Sequence, residues 1–318
     1  MATVTANGIT LEYETWGDPA APPILLIMGL GMQLTSWPDA FREGLVAHGF
    51  RVLAFDNRDC GLSTRIRVRK TPNLLLQIAR AWARMPVRSP YTLDDMAADT
   101  VGLLDALHVA RAHVVGVSMG GMIAQVIAAR YPERTASLTS IMSTTGNRRV
   151  SKSKPDARRA LLSRPDDPDN PESVTRHLIE LFGVIGSPGY PADHGELRAR
   201  IERSVRRSYY PAGTAHQLLA ILASGDRRRL LPKITAPKTR WCPSRRGATP
   251  RTTSRARTSR SSKAWGTTCR SRCSRCWSRP SPRTAGWRTV PRRPPRWRRL
   301  PARPDASVAS VDTPFTIH

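Results

Sequence analysis

No apolar run in this sequence approaches the ~20 residues that a membrane-crossing helix needs. The chain does not open on a basic segment followed by an apolar stretch, so no secretory leader is expected and the default is a cytoplasmic protein. Acidic residues almost run out after residue 237. Of the 24 Asp and Glu, only Asp305 and Asp312 fall in 238–318, against 21 of the 51 Lys and Arg. Most of the net charge of +27 is therefore a property of this tail, and it does not make the whole chain a nucleic-acid binder. A tail so basic would still hold nucleic acid non-specifically by neutralising phosphates, which is the alternative, non-catalytic reading of the chain. The tail also lacks helix or strand periodicity, so it is expected to be disordered or poorly packed. Four of the five cysteines lie in it, but Cys269, Cys273 and Cys276 have no fourth ligand at a usual spacing, and no metal site is expected.

What is present is concentrated in residues 112–130. A short apolar strand runs into Gly116-Val117-Ser118-Met119-Gly120, and a helix rich in small residues follows to Arg130. A Gly-x-Ser-x-Gly pentapeptide alone arises by chance in about one chain in ten of this length. The strand before it and the helix after it give it weight, because together they describe a nucleophile elbow. The tight turn lifts the Ser118 hydroxyl above the end of a sheet and leaves the Met119 N–H at a helix N-terminus, facing any negative charge that develops there.

The rest of the first 145 residues reads as alternating strands and helices. Residues 3–16 form a hairpin about Asn7-Gly8. The unbroken apolar run 24–28 fits a strand buried on both faces. The loop Gly29-Leu30-Gly31 after it is placed to supply a second oxyanion N–H, with Leu30 as first candidate and Gly31 next. A helix is expected over 37–48, strands over 50–55, 112–117 and 136–143, and a helix capped by Thr92 with Asp95 three residues on. Asp56 and Arg58 read as groups that hold their loop by hydrogen bonds, and Cys60 as a small buried filler. Alternation of this kind implies parallel βαβ units, an α/β fold with a mostly parallel sheet. Residues 146–226 change character, with helices expected at 172–182, 196–207 and 215–223. They read as a helical lid, and 227–237 as the return to the core.

Residues 23–31, 50–64, 112–132 and 230–237 together resemble the α/β-hydrolases, in particular lid-bearing esterases and lactonases of the aclacinomycin methylesterase and 3-oxoadipate enol-lactonase type. The resemblance covers about residues 5–237. It implies a Ser118 nucleophile, an Asp after a late strand, a His in a later loop, a small-molecule ester or lactone as substrate, and no cofactor. Serine at the elbow argues against the dehalogenase and epoxide-hydrolase branches.

In this family the acid and the histidine follow the lid, yet no histidine here sits in the Gly-His loop that the resemblance implies, and the only late acids are Asp305 and Asp312. His48, His108 and His113 precede Ser118, His177, His194 and His216 lie in the lid region, and His318 ends the sequence. The tail does contain both missing loops in another frame. One codon choice for residues 262–270, read one base earlier, gives Ile-Glu-Gly-Met-Gly-His-Asp-Leu-Pro. The same shift turns residues 238–243 into Glu-Asp-Pro-Leu-Val-Pro. These resemble the family's histidine and acid loops, with the hidden Asp over Thr239 and the hidden His over Thr267. Without that frame the strands after residue 237 are expected to be missing. Nucleotide sequencing across codons 235–240 tests this. A small deletion is expected there, and bases confirmed as written, with no Gly-His loop in an alternative frame, would sink the reading.

Overall fold

The structure, a computed structural model, describes residues 1–147, 154–187, 189 and 192–234, and the backbone of 239–241. It opens on the hairpin of β1 (Ala2–Ala6) and β2 (Ile9–Trp16). Asn7 and Gly8 join the strands with φ of 49° and 76°. That turn twists in the same sense as the strands it links. β3 (Pro23–Ile27), β4 (Arg51–Phe55), β5 (Ala112–Val117) and β6 (Thr135–Ile141) follow. The sheet order is β1-β2-β4-β3-β5-β6-β7, and every pairing from β4 to β7 is parallel.

Helices cover both faces of the sheet, and the period of two along the strands decides which residue faces which. Leu25, Ile27, Leu53, Phe55 and Val114 face α3 (Leu93–Ala106) and α4 (Met119–Arg130) in the main core. Ile24, Leu26, Val52 and Ala54 face the other way, with Trp37, Leu45 and Val46 of the segment around α1 (Asp39–Ala47). Cover on this second face thins towards β5, where buried and half-buried residues alternate and Val115 and Val117 are only half-buried. α3 starts on the expected cap: Thr92 and Asp95 form a capping box.

Between β6 and β7 lie α5 (Pro155–Leu162), α6 (Pro171–Ile185), α7 (His194–Arg207) and α8 (Pro211–Ser224). α6 and α7 share a small core of Val174, Leu197, Ile201 and Val205, while α8 packs on α2 (Leu74–Trp82) and α3. The three helices expected here lie inside α6, α7 and α8. α2 and α5 were not anticipated. Both are amphipathic in sequence, but neither buries a full apolar side. α2 leaves Leu75 and Trp82 exposed (74% and 73%), and α5 buries Ala157 alone. Among the described residues no helix is long and apolar enough to cross a membrane.

The sheet also runs one strand farther than the sequence suggested. β7 (Thr239–Trp241) pairs with β6, Thr239 opposite Leu138 and Trp241 opposite Ser140. Main-chain groups make that ladder, so it does not need the apolar run whose absence argued against a strand. The other expectations for the tail, including Asp305, Asp312, His318 and the three spaced cysteines, fall outside the described residues.

The loop after β4 is held by charge. Arg58 forks onto Asp99 of α3, Nε to Oδ2 and Nη2 to Oδ1, both at 2.5 Å, and Asn7 Nδ2 donates to the same carboxylate at 2.8 Å. Burial pushes the Asp99 carboxyl up, against the pull of Arg58. Replacing Asp99 with alanine leaves a buried guanidinium without its carboxylate. The expected cost is about 3–5 kcal/mol, read as a fall in the urea midpoint. A change below about 1 kcal/mol would show that the pair is not a main support of this loop.

Candidate active site at the end of β5

β5 delivers Ser118 into a turn with φ 53° and ψ −117°. A side chain pays for that conformation, and neighbours must hold it there. The Ser118 N–H donates to Ile141 O at 2.9 Å. Its carbonyl accepts from the Met122 N–H at 3.2 Å and from the Ser143 hydroxyl at 2.7 Å. The helix leaving the turn passes very close to its neighbours. A Cβ on Gly116 would stand 2.1 Å from Gly120 O, and one on Gly120 would stand 2.1 Å from Ile27 O. Only glycine fits at either place. Ser118 itself is half-buried.

The loop after β3 lies against this turn. A Cβ on Gly29 would meet Ser118 Cβ at 3.3 Å. The Gly31 N–H donates to Gln217 Oε1 at 2.8 Å, and Gln217 Nε2 donates to Arg58 O at 2.8 Å. Gln33 Nε2 reaches the carbonyls of Ser204 and Ser208 at the end of α7 (2.6 and 2.7 Å). The Leu30 N–H meets no protein acceptor among the described residues. Met119 opens α4, where first-turn N–H groups have no acceptor within the helix.

A family model for the alpha/beta hydrolase fold matches residues 22–171. Rhodomycin D methylesterase DnrP of Streptomyces peucetius is 32% identical over 216 residues, 62% of this chain and 66% of that protein. 3-Oxoadipate enol-lactonase 2 of Acinetobacter baylyi is 29% identical over 132 residues, 42% of this chain and 41% of the lactonase. The solved enol-lactonase from Burkholderia xenovorans LB400 has a TM-score of 0.52 and 25% identity, over 73% of this chain and 77% of its own.

The chain has the α/β-hydrolase fold. It spans 66% of the methylesterase's length, just under two thirds. Among its described residues no histidine is hydrogen-bonded to Ser118. His48 Nδ1 bonds to Gly44 O, and His113 Nδ1 to the Ser137 hydroxyl. His108 and His194 are exposed and His177 is half-buried. His216 is buried and engaged elsewhere, with Nδ1 3.0 Å from Asp59 Oδ2 and Nε2 2.9 Å from Thr71 Oγ1.

Asp56 and Arg58 play the holding roles expected of them. The Asp56 carboxylate accepts from the Leu34 and Leu62 N–H groups (2.7 and 3.0 Å) and from Arg207 Nη1 (2.6 Å). Cys60 is buried, and burial pushes its thiol up, away from reactivity. A groove of about 700 Å³ is lined by residues 61–65, Arg67 and Tyr210. Ser118 is not among them, so this groove is separate from the elbow. Gln217 and the Asp59–His216 contact escaped the sequence reading. Their partners lie 157 to 186 residues away, and no local pattern marks such a pairing.

Strain at Ser118 has a measurable sign. Glycine enters this conformation freely, so Ser118→Gly is expected to raise stability by about 1 kcal/mol after allowing for glycine's looser unfolded chain. Thermal unfolding checks it, and a fall in Tm would mean that the turn is not strained.

Proposed function

We propose that this chain is built as a serine hydrolase of carboxylic esters or lactones, working through an acyl-Ser118 intermediate. The observation that carries the reading is Ser118 held at positive φ between a parallel strand and a helix, with the β3 loop against it. In this reading Ser118 Oγ attacks the acyl carbon, and the N–H groups of Met119 and Leu30 receive the oxyanion. Gly31 is the weaker second candidate, because Gln217 already takes its N–H. The alkoxide or enolate then leaves, and water releases the acyl group. The relatives named methylesterase and enol-lactonase support the substrate class. The helices α5–α8 take the part of a lid, since α8 touches the loop after β3 through Gln217.

Among the described residues no group is placed to accept the Ser118 proton, so we infer that catalysis by this chain is impaired. We assign the missing Asp and His to the displaced frame of the tail. Loss of the triad histidine costs about 10⁶-fold in kcat, while the oxyanion donors and binding retain roughly 10³–10⁴ over water. Frame-restored protein is expected to hydrolyse p-nitrophenyl esters about 10⁶-fold faster than this chain. It is also expected to take a fluorophosphonate label at Ser118, and Ser118→Ala is expected to abolish both. A restored protein that folds and takes no label at Ser118 would overturn the reading.

A further inference from the structure

One carboxylate–imidazole–hydroxyl chain does exist among the described residues, and Ser118 is not part of it. Asp59, in the loop after β4, is buried, with its side chain 0% exposed, and His216 on α8 is 2% exposed. Thr71, in the segment before α2, is exposed. Asp59 Oδ1 accepts from the Ile66 N–H at 2.6 Å, and Oδ2 lies 3.0 Å from His216 Nδ1. A carboxylate only accepts, so the neutral imidazole must carry its proton on Nδ1. Nε2 is then an acceptor, and the Thr71 hydroxyl, 2.9 Å away, donates to it. The ring is held in place by the edge of Tyr91, with centroids 6.5 Å apart. Those are the roles of nucleophile, base and orienting acid, recognised by geometry and not by sequence order.

We propose that Thr71 is a second acyl acceptor, with His216 as its general base and Asp59 as the residue that positions the base. The substrates are activated carboxylic esters small enough to reach an exposed hydroxyl. Thr71 Oγ1 forms a bond to the acyl carbon while His216 Nε2 takes the hydroxyl proton. The scissile C–O bond breaks, and the alcohol or phenol leaves as its oxyanion or takes the proton back from His216. The product is an ester on Thr71. Nothing in this step needs Ser118, the displaced frame, or an added cofactor.

The test uses the full chain as it exists, treated with p-nitrophenyl acetate and mapped by tryptic mass spectrometry over time. Thr71 is the only hydroxyl residue in its tryptic peptide, residues 71–80, and Ser118 is the only one in residues 112–130, so the two sites separate cleanly. Acetylation of Thr71 is expected about 100-fold faster than that of other exposed Ser and Thr residues, the usual contribution of a placed base. Asp59→Asn turns the imidazole to the wrong tautomer and is expected to remove that advantage, as is His216→Gln. Thr71→Ser preserves the label and Thr71→Ala abolishes it. Ser118→Ala leaves Thr71 labelling unchanged, which keeps this result apart from the elbow's. If the chain acetylates Thr71 no faster than its other exposed hydroxyls, the contact is a structural clasp and the proposal is wrong. Should either base-line variant fail to fold by circular dichroism, the comparison of Thr71 with Thr71→Ser and the other hydroxyls of the native chain decides alone.

Discussion

The first turn of α4 passes so close to the end of β3 that the 2.1 Å gap measured from a Cβ at Gly120 to Ile27 O admits no side chain. Much else follows from that approach. It forces Ser118 to a positive φ, because a gentler turn would carry the helix away from the sheet. It also brings the end of β3 and the Gly29 loop up to the same serine. Strain of about 1–3 kcal/mol at one residue is bearable only if the surroundings over-determine it. The bonds from Ile141, Ser143 and Met122 do so.

A second constraint is buried charge. Asp56, Asp59, Arg58 and Asp99 are all nearly inaccessible. Ions in such places must be paired or saturated with donors, or the fold loses several kcal/mol for each. The pairing reaches across the molecule. Arg207 brings the end of α7 to Asp56, Arg58 ties the β4 loop to α3, and His216 brings α8 to Asp59. The segment from Asp56 to Ser63 is thus a polar hub on which the helical insertion is seated. Arg227 extends the scheme, donating to Thr144 O while its N–H meets Thr145 O. Burial pulls its guanidinium down to about 10.

The architecture was largely legible because it is written in short-range signals. Asn7-Gly8 can scarcely be anything but a hairpin turn, Thr92 and Asp95 announce a helix start, and 24–28 is apolar enough to lie inside a sheet. α4 was read to its end residues because glycines open it and Tyr131-Pro132 closes it. α2 and α5 were missed although both carry an apolar stripe; α2 leaves large apolar residues of its stripe exposed, and both are short. The strand, turn and helix about Ser118 were legible as well. Gln217 and His216 were illegible as partners, since a hydrogen bond spanning 150 residues leaves no trace in local sequence. Both nitrogens of His216 are engaged, one with Asp59 and one with Thr71.

β7 meets β6 in a ladder of peptide groups, and such a ladder is indifferent to the identity of the residues that carry it. Shape and chemistry at this edge are therefore encoded in different alphabets. The edge of β6 takes a strand from Thr239-Arg240-Trp241, a stretch without an apolar run. Genes can lose the second message while the first still translates into a recognisable sheet. Likeness of fold is then a poor witness to competence, and in molecules of this kind the inheritance of activity has to be judged from side chains, one position at a time.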